Sequence, residues 1–497
     1  MKPRLLSALL LLLPIAAIPA SLFAATPDSA APVVINGRNP LDGPFLGFGA
    51  EWDSMAYRHY KMNDEDFSLI RSRLEWMKMP VVRTMMLSNW CYFGEDRYDF
   101  ESSAMQMLYR QLDICEELGI KVLLTDWGLN DTWMKTPGLS GVSDPKYAEI
   151  IGAYLDHLLN VKKYTCIQQF IFMNEPEWMG YTKSTGLNNT QARDTWHQGF
   201  KNVISVLEKR GLRNRLMISG PDQSGNQYDW LKHMLLNAPG ELDAYEIHLY
   251  ANQRRQHPTI RESADKGFVR DYLREVWSMV RQNDPDKSKP LILGEAGFAV
   301  FPPDVPQGEQ FSGRNNALHQ DWQYGLYMTQ YAIQSVEAGT WSVLAWMLDD
   351  SSHFNFTWGM WGNKTDGSRP KPWFYTWALL TRAFPPDSTF SLLKGLPAGV
   401  EGIAARLPAA KDTPSAGWSV VLTNTADTPA TVNLSLPEGS SASLARYLYA
   451  EGSAKTDANG FPSPVETITA SVGEPLPIEL PARSVTFFIP ASLSASK

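Results

Sequence analysis

Cysteine is scarce in this chain: three residues in 497, Cys91, Cys115 and Cys166. Three thiols form at most one disulfide, so no disulfide framework holds the fold. Their spacing suits no cysteine-based zinc site. Histidine is sparse too, 8 in all, with no His-x-His and no His-Glu-x-x-His, which leaves a metal-dependent hydrolase without a ligand cluster. Positive charge is not in excess: 45 basic side chains against 53 acidic ones give a net charge of −8. That balance lacks the basic stripe of a phosphate-backbone binder, so nucleic acid is excluded as a partner. No Gly-x-Gly-x-x-Gly follows an early strand, which removes the dinucleotide-binding alternative. Long apolar runs are missing as well. The run from Leu5 to Ile18 is interrupted by Pro14 and falls short of the ~20 residues a membrane span needs. Lys2 and Arg4 precede it, and Pro19, Ala20, Ala24 and Ala25 follow. This charged, apolar, small-residue layout is that of a secretory leader, assigned to residues 1–25. The protein is expected to be exported, secreted or periplasmic, with no stable membrane insertion.

What is present is a globular composition, 44% hydrophobic and 20% charged, able to bury sizeable cores. At ~100–200 residues per domain, the length allows two or three units. Strand-like runs begin at Phe45–Ala50, Val81–Met86, Lys121–Trp127 and Phe170–Asn174, and continue at Leu216–Gly220, Ala244–Tyr250, Leu291–Glu295 and Ser342–Leu348. Amphipathic runs separate them, with readable ends. Asp144-Pro145 sets an N-cap before a proline at the first helical position, and Ile150, Ile151, Tyr154, Leu155 and Leu158 follow at helical spacing. Gly119 and Gly211 close helices as left-handed caps. Eight strand–helix pairs, the last helix near Pro372–Phe384, predict an α/β fold, a closed (β/α)8 barrel over residues 33–385. After Pro385-Pro386 the pattern changes to short strands and turns, among them Trp418–Thr423, Ala430–Leu436 and Ser484–Ile489. Only Trp418 of the 17 tryptophans lies there. Residues 386–497 are therefore expected to form an antiparallel β-sandwich, with which a short strand near Val33–Asn36 could pair.

Barrel enzymes carry their chemistry at the C-terminal ends of the strands. Those positions read Trp52 and Asp53, Arg83, Asp126 and Trp127, Asn174 and Glu175, Asp222, His248 and Tyr250, Glu295, and Trp346. Two glutamates at separate strand ends suit a two-carboxylate mechanism. Each residue has a plainer reading. Asn174-Glu175-Pro176 could be a strand exit with its glutamate facing water, Gly294-Glu295 a common pairing without function, His248 a satisfied core histidine, and Trp346 packing. Arg83 says more, because an inward charge at a strand end requires a partner to offset its desolvation.

The segments Ile171-Phe172-Met173-Asn174-Glu175-Pro176 and Ile292-Leu293-Gly294-Glu295 resemble the strand-four and strand-seven signatures of clan A glycoside hydrolases over residues 40 to 385. The attached β-domain resembles that of the xylosidase-type and glucosylceramidase-type families. Asp126-Trp127 departs from the cellulase-type pattern, which carries histidine and asparagine there. The resemblance implies a retaining hydrolase of β-O-glycosidic bonds in oligo- or polysaccharides, a carbohydrate partner, and no metal or organic cofactor. It casts Glu175 as the acid/base and Glu295 as the nucleophile. Asn174 would donate to the sugar 2-hydroxyl, Arg83 and Tyr250 would hold Glu295 ionised, and His248 would orient its neighbours. Trp346, Trp127 and Trp52 would offer flat faces to the sugar, and Asp126 would complete the substrate-binding set.

Two other functions share these residues. A transglycosylase uses the same pair up to the covalent intermediate, and a non-catalytic carbohydrate-binding barrel would need neither glutamate. The double-displacement reading expects the carboxyl groups ~5–5.5 Å apart, against ~6.5–9.5 Å in an inverting enzyme.

Overall fold

Every strand of the first run is buried on both faces, because helices cover the outside and side chains fill the inside. The computed structural model describes residues 32–35, 37–181, 185–224, 228–251, 259–298, 317–354, 357–409, 417–437, 443–471 and 474–495. The leader assigned to residues 1–25 lies outside them. After a short strand β1 (Pro32–Ile35) come β2 (Gly47–Glu51), β3 (Val81–Met86), β4 (Lys121–Asp126), β5 (Ile167–Ile171), β6 (Met217–Gln223), β7 (Ala244–Tyr250), β8 (Leu291–Gly297) and β9 (Ser342–Ala345). Strands β2 to β9 pair in parallel in chain order and close when β9 meets β2, Gly47 opposite Ser342. This is the expected (β/α)8 barrel. Val81, Leu123, Ile171, Ala244, Ile292 and Leu344 converge in its interior as one packed layer, so the barrel is filled, not hollow.

The local signals act as their chemistry requires. The Asp144 side chain accepts from the Lys146 amide at 2.9 Å ahead of Pro145. Gly119, at φ 71°, returns its amide to the Cys115 carbonyl. The last barrel helix spans Pro372–Ala383. Cys91, Cys115 and Cys166 are buried free thiols. Among the described residues no helix is long and apolar enough to cross a membrane.

Strand β5 ends earlier than its apolar run suggests. Phe172 to Glu175 leave the ladder, with Met173 and Glu175 at φ 71° and 43°. Tertiary bonds hold this turn instead: the Asn174 amide donates to the Asp126 carbonyl (2.8 Å), and the Glu175 amide to that of Asp222 (3.2 Å).

The second unit comprises β10 (Thr389–Lys394), β11 (Val400–Arg406), β12 (Trp418–Asn424), β13 (Ala430–Ser435), β14 (Ser443–Tyr449), β15 (Glu466–Thr469), β16 (Pro475–Leu480) and β17 (Ser484–Pro490). Strand β1 joins this sheet, not the barrel, antiparallel to β10 and parallel to β13. The barrel therefore begins at β2, and the side sheet carries one parallel pairing. The order is β15-β14-β17-β12-β11-β10-β1-β13-β16. The sheet folds on itself: Val33, Val432, Leu434 and Ile478 from one half pack with Val420, Leu422, Leu444 and Phe488 from the other. The alternate residues of β12, β14 and β17, Val421, Tyr447, Tyr449, Val485, Phe487 and Ile489, join the barrel's own core. Tyr449 donates to the Trp322 carbonyl at 2.6 Å and stacks on Tyr375. A chain ending at Pro385 would expose that apolar face and is expected to aggregate. A monomeric, cooperatively melting truncation would show the barrel to be self-sufficient.

Candidate active site

Period-two alternation sends one face of each barrel strand inward, and at the C-terminal rim those inward residues are charged. Arg83 on β3 is the hub, fully buried, with four partners. Its Nη1 donates to Glu51 (2.8 Å) and Glu295 (3.0 Å), and its Nη2 to Asn174 (2.6 Å) and Asp222 (2.8 Å). On β7, His248 stands between two carboxylates, Nδ1 at 2.9 Å from Glu175 Oε1 and Nε2 at 2.9 Å from Asp222 Oδ1. Two strand positions on, the Tyr250 hydroxyl donates to Glu295 Oε2 at 2.6 Å. One oxygen each of Glu175 and Glu295 and a His248 nitrogen all lie within 4.8 Å of one another. Seven of the twelve strand-end residues read from the sequence thus meet in one cluster: Arg83, Asn174, Glu175, Asp222, His248, Tyr250 and Glu295.

The backbone is irregular where these side chains must be aimed. Between β8 and its neighbours the register slips at Gly294–Glu295, and between β6 and β7 at Pro221–Gln223. Such bulges re-aim a side chain at the cost of a ladder bond. Asp222 has φ 61°, a conformation that persists in a non-glycine residue only where the surroundings enforce it. Glu177 ties the loop after β5 to the end of β6, its Oε1 accepting from the Ser224 amide (2.6 Å) and hydroxyl (2.8 Å).

Charge states follow from burial against these partners. Burial alone would raise Asp222, but Arg83 and His248 outweigh it and hold the carboxyl well below the usual range. Burial alone would lower His248, yet the charges of Glu295 and Asp222 raise it well above an ordinary histidine. As an imidazolium, it donates from both nitrogens. Burial raises Glu295 to about 7 against the opposing pull of His248 and Arg83. Burial likewise raises Glu51 to about 8. Arg83→Met would strand several buried carboxyls, and breaking a buried pair costs ~3–5 kcal/mol. Urea unfolding should register that loss. A variant within ~0.5 kcal/mol of wild type would mean that these acids hold their own protons.

The tertiary structure corrects two assignments. Asp126 does not face the mouth: it is fully buried, with both oxygens taken by the Tyr147 hydroxyl (2.8 and 2.6 Å) and one also by the Gly128 amide (3.2 Å). It braces the end of β4. Trp52 is fully buried too, its indole donating to the Tyr57 hydroxyl at 2.6 Å, and offers no face to a sugar. Trp127 and Trp346 lie together, ring centroids 6.1 Å apart at 26°, both buried at 9% and 3% exposure, with Trp133 at 6.2 Å from Trp127 and 43% exposed.

Other residues escaped the sequence reading. His353 sits 4.9 Å from the Trp346 ring and bonds Asp53 through Nε2 at 2.7 Å. Burial lowers it to about 4, so it is the neutral partner. Nothing local links two residues 300 positions apart. Glu246 also escaped, although the inward face of β7 that it shares with His248 and Tyr250 could have signalled it.

Two triads, Glu175–His248–Glu295 and Asp222–Glu246–His248, have ligand atoms close enough to hold a metal. Both share His248, whose nitrogens already face carboxylates, and Arg83 within 3.0 Å of Glu295 and Asp222 supplies the positive charge a cation would bring. The donor set suits hydrogen bonding better than metal ligation.

The fold recurs in known proteins. Solved structures of similar fold include the glycoside hydrolase family 30 subfamily 8 xylanase Xyn30A from Clostridium acetobutylicum, at TM-score 0.60 and 14% identity, covering 92% of this chain and 98% of that one. A monomeric beta-xylosidase from Caulobacter crescentus CB15 aligns at TM-score 0.59 and 13% identity, covering 92% and 98%. A glucosidase from Croceicoccus marinus aligns at TM-score 0.59 and 12% identity, covering 92% and 97%. Identities this low establish the fold alone. No curated protein matches the chain. The family model for cellulase (glycosyl hydrolase family 5) matches residues 47–349, more than half the chain and the whole run of barrel strands. The chain therefore belongs to the cellulase family, glycosyl hydrolase family 5, and is an O-glycosyl hydrolase of clan A.

Proposed function

We propose that this hydrolase is exported and cleaves β-O-glycosidic bonds of oligo- or polysaccharides by double displacement, with Glu295 as nucleophile and Glu175 as acid/base. The observation that carries this reading is the pairing of two carboxyl groups, with oxygens within 4.8 Å, in unlike surroundings. Glu295 is buried and receives hydrogen bonds from Arg83 and Tyr250, which favour its anion. Glu175 is partly exposed, and His248 donates to its Oε1 at 2.9 Å. In the first step Glu175 protonates the glycosidic oxygen as that bond breaks, and a Glu295 oxygen bonds to the anomeric carbon. In the second, Glu175 takes a proton from water, whose oxygen displaces Glu295. Oxygens within 4.8 Å lie nearer the ~5–5.5 Å of a retaining pair than the ~6.5–9.5 Å that admits a water. Asn174, anchored by Arg83, is suited to the 2-hydroxyl. Trp127, with the exposed Trp133 beside it, suits the C–H face of a pyranose. Export rests on the N-terminal leader pattern.

The test is proton NMR of the first-formed product from β-glucosides, β-xylosides and the corresponding polymers. The β-anomer should appear first; an α-anomer first would exclude double displacement.

A pH effect follows. Glu295 attacks only as an anion, and its carboxyl is raised to about 7. On its acid side the kcat/KM profile should therefore fall about tenfold per pH unit below that value, while the basic side is set by the group that protonates the leaving oxygen. Tyr250→Phe removes a donor to the anion and should move the acid limb upward. A limb unmoved by that change would assign it to another group.

A further inference from the structure

Strand β7 turns Glu246, His248 and Tyr250 to one face, and only the last two reach the glutamate pair. Glu246 is fully buried, and neither carboxyl oxygen meets a donor among the described residues. One of its oxygens lies within 4.8 Å of an Asp222 oxygen and a His248 nitrogen, and Oε1 is 3.6 Å from His248 Nε2. Gly294 makes the room: a Cβ there would fall 1.3 Å from Glu246 Oε1 and 2.5 Å from its Cδ. Gly294 is also where the β7–β8 register slips, His248 pairing with Glu295 next to Ile247 with Leu293. The Glu246 carboxyl thus fills the space against the bulge that aims Glu295.

An ionised carboxylate with no donor would be a buried, unsolvated charge. Burial, then the neighbouring Asp222 charge, raises Glu246 well above the carboxylate range, with Arg83 of β3 and His248 opposing. The neutral acid has its own donor, and anionic Asp222 is the acceptor beside it.

We propose that Glu246 is a positioning residue that works as a neutral acid: it donates a hydrogen bond to Asp222, fixes the Asp222–His248 pair that aims Glu175, and by its bulk against Gly294 sets the bulge that aims Glu295. The inference rests on the two-glutamate reading and goes beyond it.

The test compares Glu246→Gln, Glu246→Ala, Gly294→Ala and the double variant Glu246→Ala/Gly294→Ala on an aryl β-glycoside. Glutamine keeps a neutral donor of the same size, so Glu246→Gln should stay close to wild type in kcat and in both pH limbs. Glu246→Ala should lose ~10–100-fold in kcat with KM little changed, the scale of a small misplacement of reacting groups. Gly294→Ala should be impaired, and the double variant should be no worse than Glu246→Ala, since the clash is then gone. Isotope-edited infrared spectra should show a protonated carboxyl band in wild type that Glu246→Gln lacks. That reading stands even if the alanine variants fail to fold. The proposal is overturned if the band is absent, if Glu246→Gln shifts a limb by about a unit or more, or if folded Glu246→Ala turns over at the wild-type rate. Failure of the underlying pair would appear separately, as no label on Glu295 after treatment with a fluorinated glycoside.

Discussion

Glu295→Gln should abolish turnover, lowering kcat by ~10⁴-fold or more, because in the proposed double displacement it is the group that bonds to the anomeric carbon. The amide is isosteric: its oxygen accepts from Arg83 and its NH2 donates to the Tyr250 hydroxyl oxygen, so the fold and sugar binding should survive while the chemistry does not. A fluorinated β-glycoside should leave a covalent adduct on Glu295 in the wild-type protein, read by peptide mass mapping. The competing acids are poorly placed for attack. Glu51 and Asp222 are fully buried and bonded to Arg83, and Asp126 is closed off beneath Tyr147. A label on any of these three would overturn the assignment.

Glu175→Ala should show the complementary signature. Loss of general acid catalysis costs ~10²–10⁴-fold on substrates whose leaving group needs a proton. Aryl glycosides with acidic phenols need none in the first step, so their loss should be far smaller there, and the covalent intermediate should accumulate. Azide is small enough to enter the space of the missing side chain and should restore turnover, yielding a glycosyl azide of retained configuration. Equal losses on both substrate types, with no azide effect, would mean that the proton comes from elsewhere. His248→Leu should shift this balance in the same direction but less far, since it removes the donor to Glu175 Oε1 and not the acid itself.

Local order carried much of this molecule. The eight-strand rhythm, the Asp144 and Gly119 caps and the positions of Glu175 and Glu295 were legible because each depends on a few adjacent residues and on alternation along one strand. Alternation says which way a side chain points but not what it meets. Arg83 needed a partner by its charge alone, yet its partners Asp222 and Glu295 lie 139 and 212 residues away. Trp52 and Asp126 occupy strand ends like the others, but Tyr57 and Tyr147 close over them. The early end of β5 and the bulges at Asp222 and Gly294 are likewise set by pairing across strands, which no single segment encodes. The sequence alone determined a barrel with a carboxyl pair at its rim. Closure of the barrel decided which buried acids face Arg83 and His248, because desolvation and Coulomb attraction act through space and not along the chain.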